Sequence, residues 1–167
     1  LGAESDAGSP FDGKLDEVRF YAGVLTAAQA KAQYDASTPD KGNSGASQPQ
    51  GTGRLDSGLA GYWKMDENTG ATVGDSSPNA NAGTRACDGG LCANPAWTTG
   101  QIGTGLDFDG ATNYVDISNA TTLNFADSTN FSLSGWFNRD TFTTDDMIVS
   151  KRNVSVSNAG YVLYIDD

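Results

Sequence analysis

The stretch Phe11-Asp12-Gly13-Lys14-Leu15-Asp16-Glu17-Val18-Arg19-Phe20-Tyr21 sets the fold expectation. From Lys14 onward Leu15, Glu17, Arg19 and Tyr21 fall on one side, and Asp16, Val18 and Phe20 on the other, which is the period of two of a β-strand. Neither side is purely polar, so the strand is expected inside a two-layer sandwich. Just downstream, Thr26 followed by Gln29 fits a capping box, and Ala27 to Ala36 is rich in strong helix formers. This predicts a helix of about two to three turns. A helix that short is not stable alone in water, and it is expected to dock through Leu25, Ala28, Ala32 or Tyr34.

Beyond the helix the character of the chain changes. Residues 37–58 are Ser, Thr, Pro, Asp, Lys, Gly, Asn, Gln and Arg around Ala46 and a single Leu55. Such a segment buries too little apolar surface to fold, so it reads as a linker, stiffened at Pro39 and Pro49. After it come short strand-like runs. Leu59 to Met65 is the first, and Thr72-Val73 with Asp75-Ser76-Ser77-Pro78-Asn79 forms the turn that follows. Gly105 to Asp109 and Asn113 to Ile117 bracket Gly110-Ala111-Thr112 and are expected to form a hairpin. Phe131 to Asn138 alternates strictly, and Met147 to Lys151 and Tyr161 to Ile165 complete the set. Short strands with Gly-rich turns and almost no helix read as an all-β sandwich or jelly roll.

Composition narrows the function classes. The 167 residues carry 21 acidic and 10 basic side chains, a formal charge of -11, so the long-range field repels nucleic acid and anionic membrane. Neither nucleic-acid binding nor membrane insertion is expected. No run approaches the length of an apolar membrane span, and a basic and apolar leader is not found at the start, so any signal peptide is expected to lie outside this sequence. The two cysteines, Cys87 and Cys92, flank Asp-Gly-Gly-Leu. The glycines let the backbone turn, and with no His and no third Cys a metal site lacks ligands, so a loop-stapling disulfide in an oxidising compartment is the better reading. Asn-x-Ser/Thr triplets at Asn119, Asn130 and Asn153 are glycan acceptors only where the host has the machinery. Catalysis is not expected: a Ser or Cys nucleophile lacks a His base, and the neighbours in Asp16-Glu17 and Asp66-Glu67 point to opposite faces of a strand.

Several motifs resemble the laminin G-like (concanavalin A-like) domains of microbial surface proteins, in the family's order. They are Tyr62-Trp63-Lys64-Met65-Asp66-Glu67, Asp75 to Gly83, Gly105-Leu106-Asp107-Phe108-Asp109-Gly110 with Tyr114-Val115, Phe131 to Phe137, and Ile148-Val149-Ser150-Lys151. Phe11 to Tyr21 with Leu25 to Gln29 resembles the family's closing strand and helix, which here come first. The resemblance implies a concanavalin A-like jelly-roll sandwich with one short helix, incomplete in this chain. Residues 1–36 would be the C-terminal strand and helix of one domain, residues 37–58 a flexible linker, and residues 59–167 the N-terminal portion of the next. An open sandwich exposes strand edges and core, so completion is expected either in cis, by further residues of a tandem array, or in trans, by other copies head to tail. Leu15, Val18, Phe20 and Tyr21 would make that assembly contact. The function implied is a structural subunit or repeat of an extracellular or cell-surface fibre or array; the alternative is a calcium-dependent adhesion or carbohydrate-binding module.

Candidate ligand sites follow from the same motifs. Asp75, Asn79 and Asn81 concentrate in one loop, and the resemblance brings Asp66 and Asp16 beside it; oxygen donors of this kind suit a structural calcium ion. Asx turns, which need no metal, explain the same residues. Trp63 and Trp136 are expected in the core, whereas Trp97, followed by Thr98-Thr99-Gly100, is expected in a loop as the surface aromatic for glycans.

Overall fold

The computed structural model describes residues 1, 10–37, 57–89, 93–118, 120–126, 128–141, 145–153 and 159–166. The linker core 38–56, Cys92 and Asn119 lie outside the described residues, as does the side chain of Asn153, so the disulfide and those sequons have no structural account here.

The protein is all-β with one short α-helix. In chain order the elements are β1 (Asp12–Tyr21), α1 (Ala27–Ala36), β2 (Leu59–Trp63), β3 (Thr72–Val73), β4 (Gly83–Cys87), β5 (Ala96–Thr99), β6 (Thr104–Asp109) and β7 (Asn113–Asp116). A 3-10 turn at Thr121–Leu123 precedes β8 (Ser132–Arg139), β9 (Asp146–Asn153) and β10 (Ala159–Ile165). Among the described residues every ladder between two named strands is antiparallel. One sheet runs β2-β1-β6-β5 with β8 on the other side of β1; a second runs β3-β4-β7; β9 and β10 form a third. Leu1 and Val115 exchange backbone hydrogen bonds at the edge of β7. Pro10 forms an isolated parallel bridge to Met147 of β9.

The core draws on all three sheets. Phe11, Leu15, Val18, Phe20, Trp63, Met65, Val73, Leu106, Phe108, Val115, Ile148 and Val149 form one buried cluster. Phe20 meets Trp63 edge-on at 6.0 Å and Tyr161 at 5.9 Å, and Phe11 meets Phe108 edge-on at 6.1 Å. Burying each of these aromatic rings contributes roughly 2–3 kcal/mol, which makes β1 the keystone of the cluster.

β1 departs from the simple alternation in its sequence. Leu15 lies in the same core as Val18 and Phe20 rather than opposite them. An extra residue is accommodated between Asp16 and Arg19, where the register with β8 slips and Glu17 takes φ 56°. This bulge shifts the faces by one position, at a backbone cost on the order of 1–2 kcal/mol for a non-glycine residue. A β8 neighbour also requires Gly13: a Cβ there would lie 2.2 Å from the Asn138 carbonyl oxygen.

Two further expectations are corrected. β6 and β7 do not pair as a hairpin: β6 lies between β1 and β5, and β7 pairs with β4. The Asp109 carboxylate takes the amides of Ala111, Thr112 and Asn113 and the Thr112 hydroxyl, closing a corner that carries the chain to another sheet. Those four donors hold the Asp109 carboxyl below its ordinary value despite partial burial. Helix α1 has the expected capping box at Thr26 and Gln29, and it docks through the expected Tyr34 together with a polar group, Gln33, rather than through Ala28. Ala28 is exposed, whereas Gln33 is buried, donating to the Tyr21 hydroxyl and accepting from Ser134 Oγ at 2.8 Å. Tyr34 packs on Trp136, ring centroids 5.5 Å apart.

Candidate functional site

Three arrangements bear on function: the seat of β1, a carboxylate knot at Asp75, and a carboxylate pair at Asp16 and Asp66.

The seat of β1 is built wholly from residues after the linker. Residues 13–21 pair with β8, residues 12–15 with β6 and residues 18–21 with β2. Among the residues expected to make assembly contacts, Leu15, Val18 and Phe20 enter the core, and Tyr21 is buried with its hydroxyl on Gln33. The strand inserts in its own chain here. On the outer face the bulge presents Glu17 to Arg19 and to the Tyr62 hydroxyl, which donates to Glu17 Oε2 at 2.6 Å. The Arg19 guanidinium lies 3.9 Å from the Tyr62 ring centroid. Burial pushes the Tyr62 phenol far above its ordinary value, so it stays a donor.

The loop after β3 is a closed knot. Asp75 Oδ1 accepts from the Tyr62 and Ser77 amides, both at 2.8 Å, while Oδ2 accepts from Ser77 Oγ at 2.8 Å and the Asn81 amide at 2.7 Å. Asn79 donates its side-chain amide to the Ala60 carbonyl at 3.0 Å, and Asn81 donates to Thr122 Oγ1 at 2.9 Å. Trp63 Nε1 donates to the Asn81 carbonyl at 2.9 Å, tying the knot to a fully buried indole. This is the Asx-turn arrangement, with both carboxylate oxygens occupied by protein donors.

Asp16 and Asp66 both reach another segment, residues 100–104. Asp16 Oδ2 accepts from the Ile102 amide at 2.9 Å, and Asp66 Oδ1 accepts from the Thr104 amide at 3.0 Å. The segment Gly100-Gln101-Ile102-Gly103 approaches both carboxylates closely. A Cβ at Gly100 would lie 2.7 Å from Asp16 Oδ2, and one at Gly103, where φ is +63°, would lie 2.2 Å from Asp66 Oδ1. Asp16 is 3% exposed, and its Oδ1 is buried without a hydrogen-bond partner. Burial pushes the Asp16 carboxyl up to about 6; the Ile102 and Gln101 amides pull it down, and the charges of Glu17 and Asp66 push it further up.

The expected five-residue ligand set therefore divides. Asp16 and Asp66 both accept from the backbone of residues 102–104, and Asp75, Asn79 and Asn81 form their own satisfied network. Among the described residues no group of three or more His, Cys, Asp or Glu side chains is placed to hold a metal ion. Sequence reading missed the loop at Gly100 to Thr104. Its signal was the pair of glycines three apart, which permits backbone approach to a carboxylate.

The aromatic side chains are also redistributed. Trp97 lies in β5, paired opposite Leu106, rather than in a loop. It is half-buried, with the Arg85 guanidinium 4.9 Å from its ring centroid and its Nε1 donating to the Gly70 carbonyl at 3.2 Å. Trp63 is in the core as expected, whereas Trp136 is half-buried under α1. Among the described residues no helix is long and apolar enough to cross a membrane. No family model, no curated protein and no solved structure matches this chain.

Proposed function

We propose that the chain is a structural bead of an extracellular or cell-surface fibre or array, a jelly-roll sandwich of the laminin G-like kind, closed by an arm consisting of β1 and α1. The observation that carries this reading is the position of the arm. Every strand that β1 pairs with lies beyond residues 37–58. A neighbouring copy presents the same seat, so the contacts that close one bead within a chain can also join two chains, head to tail. The low proportion of charged side chains and the abundance of Gly support an extracellular setting, with Cys87 and Cys92 as a stapling pair.

Exchange of the arm is tested with two single variants, Lys14→Cys and Asn138→Cys, whose positions face each other across β1 and β8. Each is prepared alone, then the two are mixed under oxidising conditions. A covalent heterodimer that neither variant gives by itself is the expected product. A mixture that stays free of it defeats docking between chains.

A second reading, a calcium-dependent adhesion or glycan-binding module without enzymatic activity, has one observation in its favour: the buried Asp16 Oδ1 has no hydrogen-bond partner, on a carboxylate that also feels the charge of Asp66. In that reading Asp16 and Asp66 hold the cation and Trp97 offers part of its ring to a sugar. Calorimetric titration of the metal-stripped protein with calcium, repeated on Asp16→Asn, separates the two. Binding that Asp16→Asn abolishes supports the module; absence of binding removes calcium.

A further inference from the structure

A cleft of about 410 Å³ lies between helix α1 and β8. Gln33, Tyr34 and the C-cap residue Ser37 line it from the helix, Ser134 and Trp136 from β8, and Arg19 from β1. A cleft of this size that combines aromatic rings with a few convergent polar groups has the make-up of a small-ligand site.

The aromatic part is Tyr34 and Trp136. The two rings lean on each other at 33°, with Tyr34 54% exposed and Trp136 half-buried, so neither is enclosed. Trp136 was expected in the core; instead it borders the cleft, and among the described residues its Nε1 has no hydrogen-bond partner. An indole N–H drawn away from water ordinarily finds one. The polar part is already oriented. Ser37 Oγ donates to the Gln33 carbonyl and Ser134 Oγ to Gln33 Oε1, both at 2.8 Å. Each serine spends its proton inside the protein and keeps only acceptor lone pairs for a further partner. The Arg19 guanidinium is paired with Glu17, so its charge is already matched.

These donors and acceptors select a ligand. An ionised carboxylate has no proton for the serine oxygens, and the net charge of -11 repels it. An ammonium group has nothing to accept from Trp136 Nε1. A pyranose has hydroxyls that donate and accept, and a C–H face that packs on an aromatic ring.

We propose that the cleft between α1 and β8 binds a neutral pyranose saccharide, packed on Trp136 and Tyr34 and hydrogen-bonded to Trp136 Nε1 and the Ser134 hydroxyl. The ligand class is that of the second reading above, on which this proposal rests, but the site and its requirements differ. Asp16, Asp66 and Trp97 do not line the cleft, and no cation is needed. Tyr34 belongs to the arm, whereas Ser134 and Trp136 lie beyond residues 37–58, so the site is complete only where an arm is seated. A bound saccharide therefore also stabilises the seated arm.

The test titrates the intact chain, in the presence of a calcium chelator, with cellotriose, maltotriose, mannotriose and tri-N-acetylchitotriose, followed by tryptophan fluorescence and by calorimetry. At least one is expected to bind, and Trp136→Ala and Tyr34→Ala are each expected to weaken it about tenfold or more. Circular dichroism checks the variants, and Tyr34, the more exposed ring, is the one whose loss leaves the fold intact. Failure of all four sugars to bind overturns the proposal, as does binding that Tyr34→Ala and Trp136→Ala both leave unchanged. Binding that appears only when calcium is restored, and that Trp97→Ala abolishes, also overturns it while keeping the second reading.

Discussion

Asp75 and Asp16 are both aspartates in strand-flanking motifs, and they end in opposite situations. Asp75 accepts four hydrogen bonds, two at each oxygen, and holds a loop against β2. Asp16 is more deeply enclosed, yet one of its oxygens has no partner, and the charges that act on it, on Glu17 and Asp66, share its sign. A carboxylate with a full set of donors is a structural fastener. One that is buried and half-satisfied opposes its own ionisation and is available to a proton or a cation.

The largest effect expected from this contrast is at Asp75. Asp75→Ala strips partners from the Tyr62, Ser77 and Asn81 amides at once, and a loss of about 3 kcal/mol or more is expected in denaturant unfolding. A loss below about 1 kcal/mol would mean that the knot is not fastening the loop.

The pH dependence comes next. The Asp16 carboxyl is raised to about 6 in the folded protein from an ordinary value of 3.8, so the folded state holds its proton over a range where the unfolded chain has released it. Its contribution to stability is therefore full below about pH 4 and is lost as pH rises through about 6, by about 3 kcal/mol at most. Stability curves at several pH values should show that slope in the wild type and lose it in Asp16→Asn. A slope that survives the substitution assigns it to another group.

The smallest effect sharpens the comparison from the ligand side. If the chain is the calcium-dependent module of the second reading, calcium at pH 7, above the Asp16 transition, raises the melting temperature by a few degrees, an effect of about 1 kcal/mol. Asp66→Asn should reduce the rise, and Asn79→Ala, in the satisfied knot, should leave it unchanged. An equal response in both variants would dissolve the distinction between the two sites.

Several features were legible in the chain because they are local. The capping box of Thr26 and Gln29, the helix from Ala27 to Ala36, and the strands containing Trp63, Phe108, Ile148 and Leu163 all declare themselves within a few residues. Strands β4 and β5 were missed because Gly83–Cys87 and Ala96–Thr99 are short, half-exposed and carry little apolar pattern. Their place is set by partners elsewhere: β4 by β7, and β5 by β6. Trp97 shows the same limit, since nothing near it in sequence announces Arg85 or Gly70.

By itself, then, the sequence determined an all-β chain with one capped helix, a polar segment at 37–58 and a strongly acidic surface, because propensity, periodicity and charge act over short spans or over the whole. Only the tertiary structure decided that β1 sits at the centre of the sheet formed by residues beyond the linker, that the bulge at Glu17 turns Leu15 into the core, and that Asp16 rather than Asp75 keeps an unpartnered oxygen. Those outcomes depend on which distant groups arrive within hydrogen-bonding and packing distance, and that is settled by three-dimensional closure rather than by spacing along the chain.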